Sequence, residues 1–309
     1  MTSAAWVVGG SGLLGSALRR QLGTTFAPHR VPWGTDAVAG TLVADLDRFL
    51  AGIRPDQAWT VYWAAGAGTI GTSAAALARE TAEVASFAAA LAARADYGRG
   101  VFFLASSASV YAGSVGAPFD EESAPAPESD YARARLEQER TVAAALDGRL
   151  RHVVGRISTL YGVGQNLTKG QGMISTMCLQ AARRRPIRLV VPLDTLRDYL
   201  YADDAAAIIA ALVAAAHASP ALGTRLRVIS HGAAVSLSVL TAQVNAVGRR
   251  GVGAQRVIVP LGQHARDLRV RTRYAAESAL TPRTPLPVGI ATVQADLLGR
   301  LARGEFART

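Results

Sequence analysis

One cysteine, Cys178, is all that the 309-residue sequence contains, so no intramolecular disulfide can form and a reducing, cytoplasmic setting is expected. Lysine is equally scarce: Lys169 stands alone, and every other residue in the Lys+Arg count of 33 is arginine. That bias lets arginine occupy positions where a related chain carries lysine. Long apolar runs are missing too. The longest, residues 205–216, is 12 residues and alanine-rich, whereas a bilayer-spanning helix needs about 20, so no membrane span is expected. The chain opens on a short apolar stretch and a glycine turn, without the basic start or cleavage pattern of a secretion signal. Aromatic residues make up only 6% and do not interleave with the arginines. The formal charge of +10 therefore suits an anionic small molecule better than nucleic acid, and Arg183-Arg184-Arg185 reads as the solvated end of a helix. No metal site is expected.

What is present is a core. Half of the residues are apolar, enough for one large α/β domain or two smaller ones. Residues 5–8, 60–65, 101–106 and 152–157 are short and continuously apolar, the pattern of parallel strands covered on both faces. Between them, residues 13–22, 77–93 and 131–146 show apolar recurrence near i+3/i+4. The alternation predicts an α/β fold with a doubly wound parallel sheet over residues 1–160. Past residue 160 the regularity fades. Helices over 173–185, 203–218 (capped by Asp203 or Asp204), 236–247 (capped by Ser236) and 288–303, with strands at 187–191 and 228–229, predict a smaller α+β substrate lid over 161–309.

Gly9-Gly10-Ser11-Gly12-Leu13-Leu14-Gly15 joins the first strand to the first helix. The Gly9-x-x-Gly12-x-x-Gly15 spacing permits a tight turn, a close backbone approach to a pyrophosphate, and helix-start N–H groups facing the anion. The fold is thus expected to be Rossmann-like, with a nicotinamide dinucleotide as cofactor. Coenzyme choice is decided about 20 residues further on. A second strand at 25–30 puts His29 and Arg30 where an acidic residue would hold the NAD ribose, and a cation there suits the 2′-phosphate of NADP. A strand running on to Trp33 offers Asp36 for NAD instead. NADP is the favoured reading. Asp45-Leu46 ends a third strand-like segment, towards the adenine, and Ala64-Ala65-Gly66 ends the fourth with small side chains.

Ser106-Ser107-Ala108-Ser109-Val110-Tyr111 ends the next strand, at the carboxyl edge where ligands bind in such sheets. Tyr131 and Arg135 open the following helix on one face. A phenol of pKa about 10 is a poor base at neutral pH, and a cation within a few ångströms lowers that value. Tyr131 is therefore a candidate acid/base, with Ser107 bonding the same substrate oxygen. Taken singly, each also reads as structural: a half-buried helix tyrosine and a polar strand end.

With these motifs in order, the chain resembles the extended short-chain dehydrogenases/reductases, the NAD(P)-dependent nucleotide-sugar epimerase, dehydratase and ketoreductase family. The resemblance runs over nearly the whole length. It rests on GGSGLLG at 9–15, Asp45-Leu46, Trp63-Ala64-Ala65-Gly66, SSASVY at 106–111, Phe119-Asp120-Glu121 and Tyr131-x-x-x-Arg135. It continues through Arg156-Ile-Ser-Thr159-Leu-Tyr161-Gly162 and Arg197-Asp198-Tyr199-Leu200-Tyr201-Ala202-Asp203-Asp204. It implies Tyr131 as acid/base, Ser107 as its substrate-orienting partner, and Leu13, Leu14 and Ile157 among the cofactor contacts. It further implies a nucleotide-diphosphate sugar as substrate, held by Ser109, Thr159 and Arg197, and a homodimer paired through helices 77–93 and 131–146. Three departures stand out. Arg135 replaces the family's lysine, which bonds the nicotinamide ribose and depresses the phenol pKa, and keeps the charge in a different shape. Thr159 replaces an asparagine. His264 and Arg266 compete for the place of a C-terminal arginine.

The dehydratase branch carries an Asp-Glu pair after the catalytic hydroxyl residue; here those positions are Ala108 and Ser109, and Glu121 lies in a loop. Elimination of water loses its general acid, so dehydration ranks below hydride transfer. The expected reaction is hydride transfer at a sugar carbon, C4, as a 4-epimerase retaining NAD or a 4-ketoreductase using NADPH. His29 and Arg30 favour the reductase. The reading from another class is a catalytically weak dinucleotide-binding regulator, which needs neither Ser107 nor Tyr131.

Overall fold

Apolar runs without alternation become a sheet buried on both faces. The computed structural model describes residues 3–94, 99–169, 172–189, 191–248, 254–256, 265–278 and 283–306. Its first half comprises β1 (Ala4–Val8), α1 (Leu13–Leu22), α2 (Val38–Ala51), β2 (Trp59–Trp63), α3 (Ala74–Arg94), β3 (Gly100–Ser107), α4 (Asp130–Leu146) and β4 (Arg151–Ile157). There follow β5 (Thr159–Tyr161), α5 (Met173–Ala182), β6 (Ile187–Leu189), β7 (Leu196–Arg197), β8 (Tyr199–Tyr201), α6 (Ala202–Ala218) and β9 (Gly223–Ile229). The last elements are β10 (Val235–Ser236), α7 (Leu237–Val247), β11 (Ala254–Arg256), β12 (Asp267–Leu268), α8 (Ala275–Ser278) and α9 (Leu286–Ala302).

β1, β2, β3, β4 and β9 form one parallel sheet, in that spatial order. Val8, Trp63, Leu104 and Val154 stand in register across it, so the carboxyl ends share one edge. Successive side chains on a strand face opposite sides. Trp6 and Val8 pack with Leu46 of α2, Phe87 of α3 and Val142 of α4. Ala5 and Val7 pack with Leu18 of α1 and Ile209 of α6. Each large side chain so buried contributes about 1.5–3 kcal/mol. A further cluster, in which α5, α7 and α9 close on Tyr161, Tyr199 and Tyr201, builds the smaller part. The expected doubly wound α/β architecture is observed.

Several local expectations are corrected. No strand forms at 25–30; residues 23–37 hold neither helix nor strand, and Phe26 N–H reaches the β1 edge at Ala5 O (2.7 Å). Pro28 and Pro32 offer no N–H for a ladder, and Gly34 turns the chain at φ +82°. Asp45 and Leu46 end no strand: Val38, Leu42, Leu46 and Phe49 recur at helical spacing and are buried on α2. Neither Asp203 nor Asp204 caps α6, whose N-cap is Tyr201 without a side-chain bond. Asp203 pairs instead with Arg20, and Asp204 accepts from the Thr284 N–H and hydroxyl. Ser236 does cap α7, accepting from Val239 N–H at 3.3 Å. Among the described residues, no helix is long and apolar enough to cross a membrane.

Candidate active site

The glycine loop leaves β1 at the sheet's carboxyl edge. Gly9 has φ +82°, and a Cβ there would lie 2.5 Å from Ala65 Cα; one on Gly15 would overlap the Gly9 carbonyl. Only glycine lets α1 start this close to β2. The α1 N-cap, Gly12, makes no side-chain capping bond, so the first-turn N–H groups stay open beside Leu13 and Leu14, which line the crevice. Ala64, Ala65 and Gly66 form the facing wall. Small residues on both sides fit a dinucleotide laid across the loop.

Two cavities meet here, sharing Ser11, Gly12, Ala64, Ala65 and Gly66. The first, about 600 Å³, is lined by Ser107, Ser109, Tyr131, Arg135, Ile157, Thr159 and Arg197. The second, about 570 Å³, is lined by Gly9, Trp33, Arg79, Glu80, Glu83 and Gln138. Both are lined by Ser11 and Gly12 of the glycine loop, so together they form one continuous crevice along it.

Tyr131 is half-buried in the first turn of α4, which Ser129 caps by accepting from Ala132 N–H at 3.1 Å. It is the only phenol among the described residues lining the larger cavity. Arg135, 7% exposed, holds its guanidinium carbon 5.1 Å from the Tyr131 ring centroid. Burial works against this cation, but Tyr131 and the Glu80 carboxylate outweigh it, and its pKa is raised. The Ser107 oxygen accepts from Ser109 N–H at 3.2 Å, starting the short 3-10 turn Ala108–Tyr111. Its own O–H stays available to donate into the cavity.

Behind this edge lies a buried brace. Arg156 donates to Glu139 (2.7 Å) and to the Tyr111 hydroxyl (2.7 Å); Tyr111 donates to Asp120 O (2.6 Å) and Ser106 to Glu139. Burial raises the Tyr111 phenol above its usual range despite Arg156. These groups hold β3, β4 and α4 together beneath the site. Glu121 accepts from Val228 N–H (2.8 Å), the Thr272 hydroxyl (2.6 Å) and Arg273 N–H (2.9 Å), a loop clasp well occupied. Arg197, whose pKa burial lowers, donates to Leu196 O (2.8 Å) and Ala265 O (2.6 Å).

Other expected contacts lie elsewhere. His29, Arg30, Asp45 and Leu46 line neither cavity. Asp45, fully buried, accepts from His29 N–H (2.9 Å), meets the His29 ring (2.6 Å) and pairs with Arg48 (2.7 Å). Leu46 belongs to the core. Arg266 is exposed and pairs with Asp194 at 3.1 Å, and His264 lies outside the described residues. Trp33, Arg79, Glu80, Glu128 and Gln138 line the crevice without having been expected at the site. Only Glu128 had a nearby signal, standing just before the α4 cap. Among the described residues, no group of three His, Cys, Asp or Glu could hold a metal ion.

The fold and crevice define the class: a Rossmann-type α/β protein with the site of a nicotinamide-dinucleotide enzyme. Residues 5–223 match the model of the NAD dependent epimerase/dehydratase family, and the chain belongs to that family. A curated relative, the dTDP-4-dehydro-6-deoxyglucose reductase of Escherichia coli, is 32% identical over 107 residues. That match spans 34% of this chain and 33% of the relative, so the chain matches about a third of the relative's length. Among solved structures, MoeE5 in complex with UDP-glucuronic acid and NAD superposes with a TM-score of 0.78 at 21% identity, covering 97% of this chain and 100% of that one. RMD from Pseudomonas aeruginosa complexed with NADPH gives 0.74 at 23% identity, covering 97% and 100%. At these identities the structures establish the fold. The protein is an NAD(P)-dependent enzyme of this family.

Proposed function

We propose that the protein transfers hydride at C4 of a nucleotide-diphosphate sugar, as a 4-ketoreductase, with Tyr131 as acid/base. The observation that carries this is the meeting of Tyr131, Ser107 and Arg135 in one cavity contiguous with the glycine loop. When bound, the nicotinamide supplies or accepts the hydride. The Tyr131 O–H donates a proton to the sugar carbonyl oxygen as it becomes a hydroxyl. Ser107 donates to the same oxygen and fixes its orientation, while Arg135 places a positive charge beside the phenol as negative charge develops there. Arg197 keeps unused N–H donors for the diphosphate, and Ser109 and Thr159 line the sugar end. Gly9, Gly12, Leu13, Leu14, Gly15, Ala64, Ala65, Gly66 and Ile157 are the proposed dinucleotide contacts, with Arg135 toward the nicotinamide ribose.

NADP is the proposed coenzyme, on different grounds from the strand-end argument. Arg79, not His29 or Arg30, lines the second cavity beside Trp33, and its guanidinium donates to Gly34 O at 2.5 Å. Epimerisation with retained NAD is the second reading, favoured by the Glu83 carboxylate on the same wall, which suits a ribose diol. The occupied state of Glu121 supports ranking dehydration last. A homodimer is proposed through the α3–α4 face, where Leu77, Ala78, Pro127 and Arg133 line a shallow groove.

The test is to incubate the protein with C4-deuterated NADPH and dTDP-4-dehydro-6-deoxyglucose, and in parallel with NAD and UDP-glucose. Deuterium at sugar C4 in the first mixture is expected. A C4 epimer in the second mixture alone favours the epimerase, and dinucleotide binding with no reaction in either favours the regulator.

A further inference from the structure

We infer that Gln138 is a positioning residue for Arg135 and that, with Gly66, it forms a seat shaped for a guanidinium rather than an ammonium. The inference rests on the reading that this crevice binds a nicotinamide dinucleotide with Tyr131 at its reactive end.

Arg135 and Gln138 stand three residues apart on α4, neighbours on one face. Arg135 Nη1 donates to Gln138 Oε1 at 2.9 Å, and both side chains are buried, Gln138 to 1% exposure. The Gln138 amide is itself oriented. Its nitrogen donates to Thr81 Oγ1 of α3 at 3.4 Å, and the Thr81 hydroxyl donates to Leu77 O at 3.0 Å, leaving its oxygen to accept. The amide oxygen is thereby turned to Arg135.

On the other side is Gly66. At φ +149° it exposes bare backbone to the second terminal nitrogen; a Cβ there would come 2.6 Å from Nη2. The loop that carries Gly66 is pinned by Glu80, whose Oε1 accepts from Ala67 and Gly68 N–H, each at 2.7 Å. Glu80 Oε2 is buried without a hydrogen-bond partner, and its charge supports that of Arg135. The planar fork is thus divided: one nitrogen to Gln138, the other over Gly66, with the guanidinium 5.1 Å from the Tyr131 ring centroid. A lysine carries a single nitrogen and cannot span these places. Gly66, Gln138 and Arg135 form a matched set, and the exchange of the family's lysine is one part of it.

The experiment uses the full chain and titrates NADPH and NADH, as probes, into wild type, Gln138→Leu, Gln138→Glu, Arg135→Lys and the Arg135→Lys/Gln138→Leu double variant. Losing a buried acceptor for a cation is expected to weaken the better-bound dinucleotide about 5- to 20-fold in Gln138→Leu. Gln138→Glu retains the acceptor and recovers most of that loss, whereas a merely structural role favours the apolar leucine over a buried carboxylate. In the Arg135→Lys background, Gln138→Leu adds less than about twofold, because there is no fork left to hold. Gln138→Met, which removes the acceptor with little change of volume, replaces the leucine variant if circular dichroism finds that one unfolded. Unchanged affinity in Gln138→Leu, or an equal loss in both backgrounds, overturns the inference. Wild type that binds neither dinucleotide defeats the functional reading instead.

Discussion

At the scale of single residues, the chemistry depends on which side chains reach the crevice, and sequence distance hides that. Tyr131 and Arg135 were legible because i and i+4 share a helix face. Arg79 was not: it sits on α3, 46 residues after Trp33 in the chain, and joins it only across the cavity. His29 ends no strand, and its backbone N–H and ring are both held by Asp45. Coenzyme preference is expected to follow Arg79. Isothermal titration should find the NADPH-to-NADH affinity ratio of Arg79→Gln reduced about tenfold, the worth of one charge-assisted contact, while Arg30→Ala leaves the ratio unchanged. A ratio that moves with Arg30 and not Arg79 would return the choice to the loop. Ser107→Ala, which removes the proposed donor to the substrate oxygen, is expected to lower kcat about 10- to 100-fold with little change in dinucleotide affinity, as measured by steady-state assay and titration.

At the scale of elements, periodicity was a good guide wherever helix or strand continued long enough to show it. β1, β2, β3 and β4 and the helices α1, α3 and α4 fall close to their predicted ranges. It misled at residues 38–51, where a few apolar neighbours around Asp45 resemble a strand end but the wider 38, 42, 46, 49 spacing is helical. It misled again at 25–30, where the expected strand does not form because Pro28 and Pro32 offer no N–H for a ladder. That segment is secured to α2 by side chains, above all by Asp45 between His29 and Arg48. Asp45→Asn is expected to lower stability by about 1–3 kcal/mol in urea denaturation, because a fully buried carboxylate loses charge-assisted partners. A change below about 0.5 kcal/mol would show that the segment is held by other contacts.

At the scale of the whole molecule, two histidines lie among the strands and helices away from the site. His152 is fully buried, bonding Leu150 O at 3.0 Å and Thr224 Oγ1 at 2.7 Å; His217 bonds Thr60 Oγ1 at 2.9 Å. Burial lowers both pKa values, and Arg151 lowers that of His217 further. The folded state therefore binds fewer protons than the unfolded one as pH falls through about 6.5, so stability drops there and is insensitive to these groups well above it. Melting temperature should decline from pH 7.5 to 5.5, and His152→Gln should flatten the decline; an unchanged slope would assign it to other groups. The smaller part was the least legible, because α5, α7 and α9 find their partners around three tyrosines of β5 and β8 rather than along the chain. Its described residues nonetheless bring Arg197 to the same cavity as Tyr131.

The central claim is that the Tyr131 oxygen moves the proton that accompanies hydride transfer, and stopped-flow oxidation of NADPH by dTDP-4-dehydro-6-deoxyglucose tests it most directly. Tyr131→Phe should bind NADPH as wild type does yet lose about 10²- to 10⁴-fold in the rate of the 340 nm decay. Decay at the wild-type rate with a phenylalanine at that position would contradict the account.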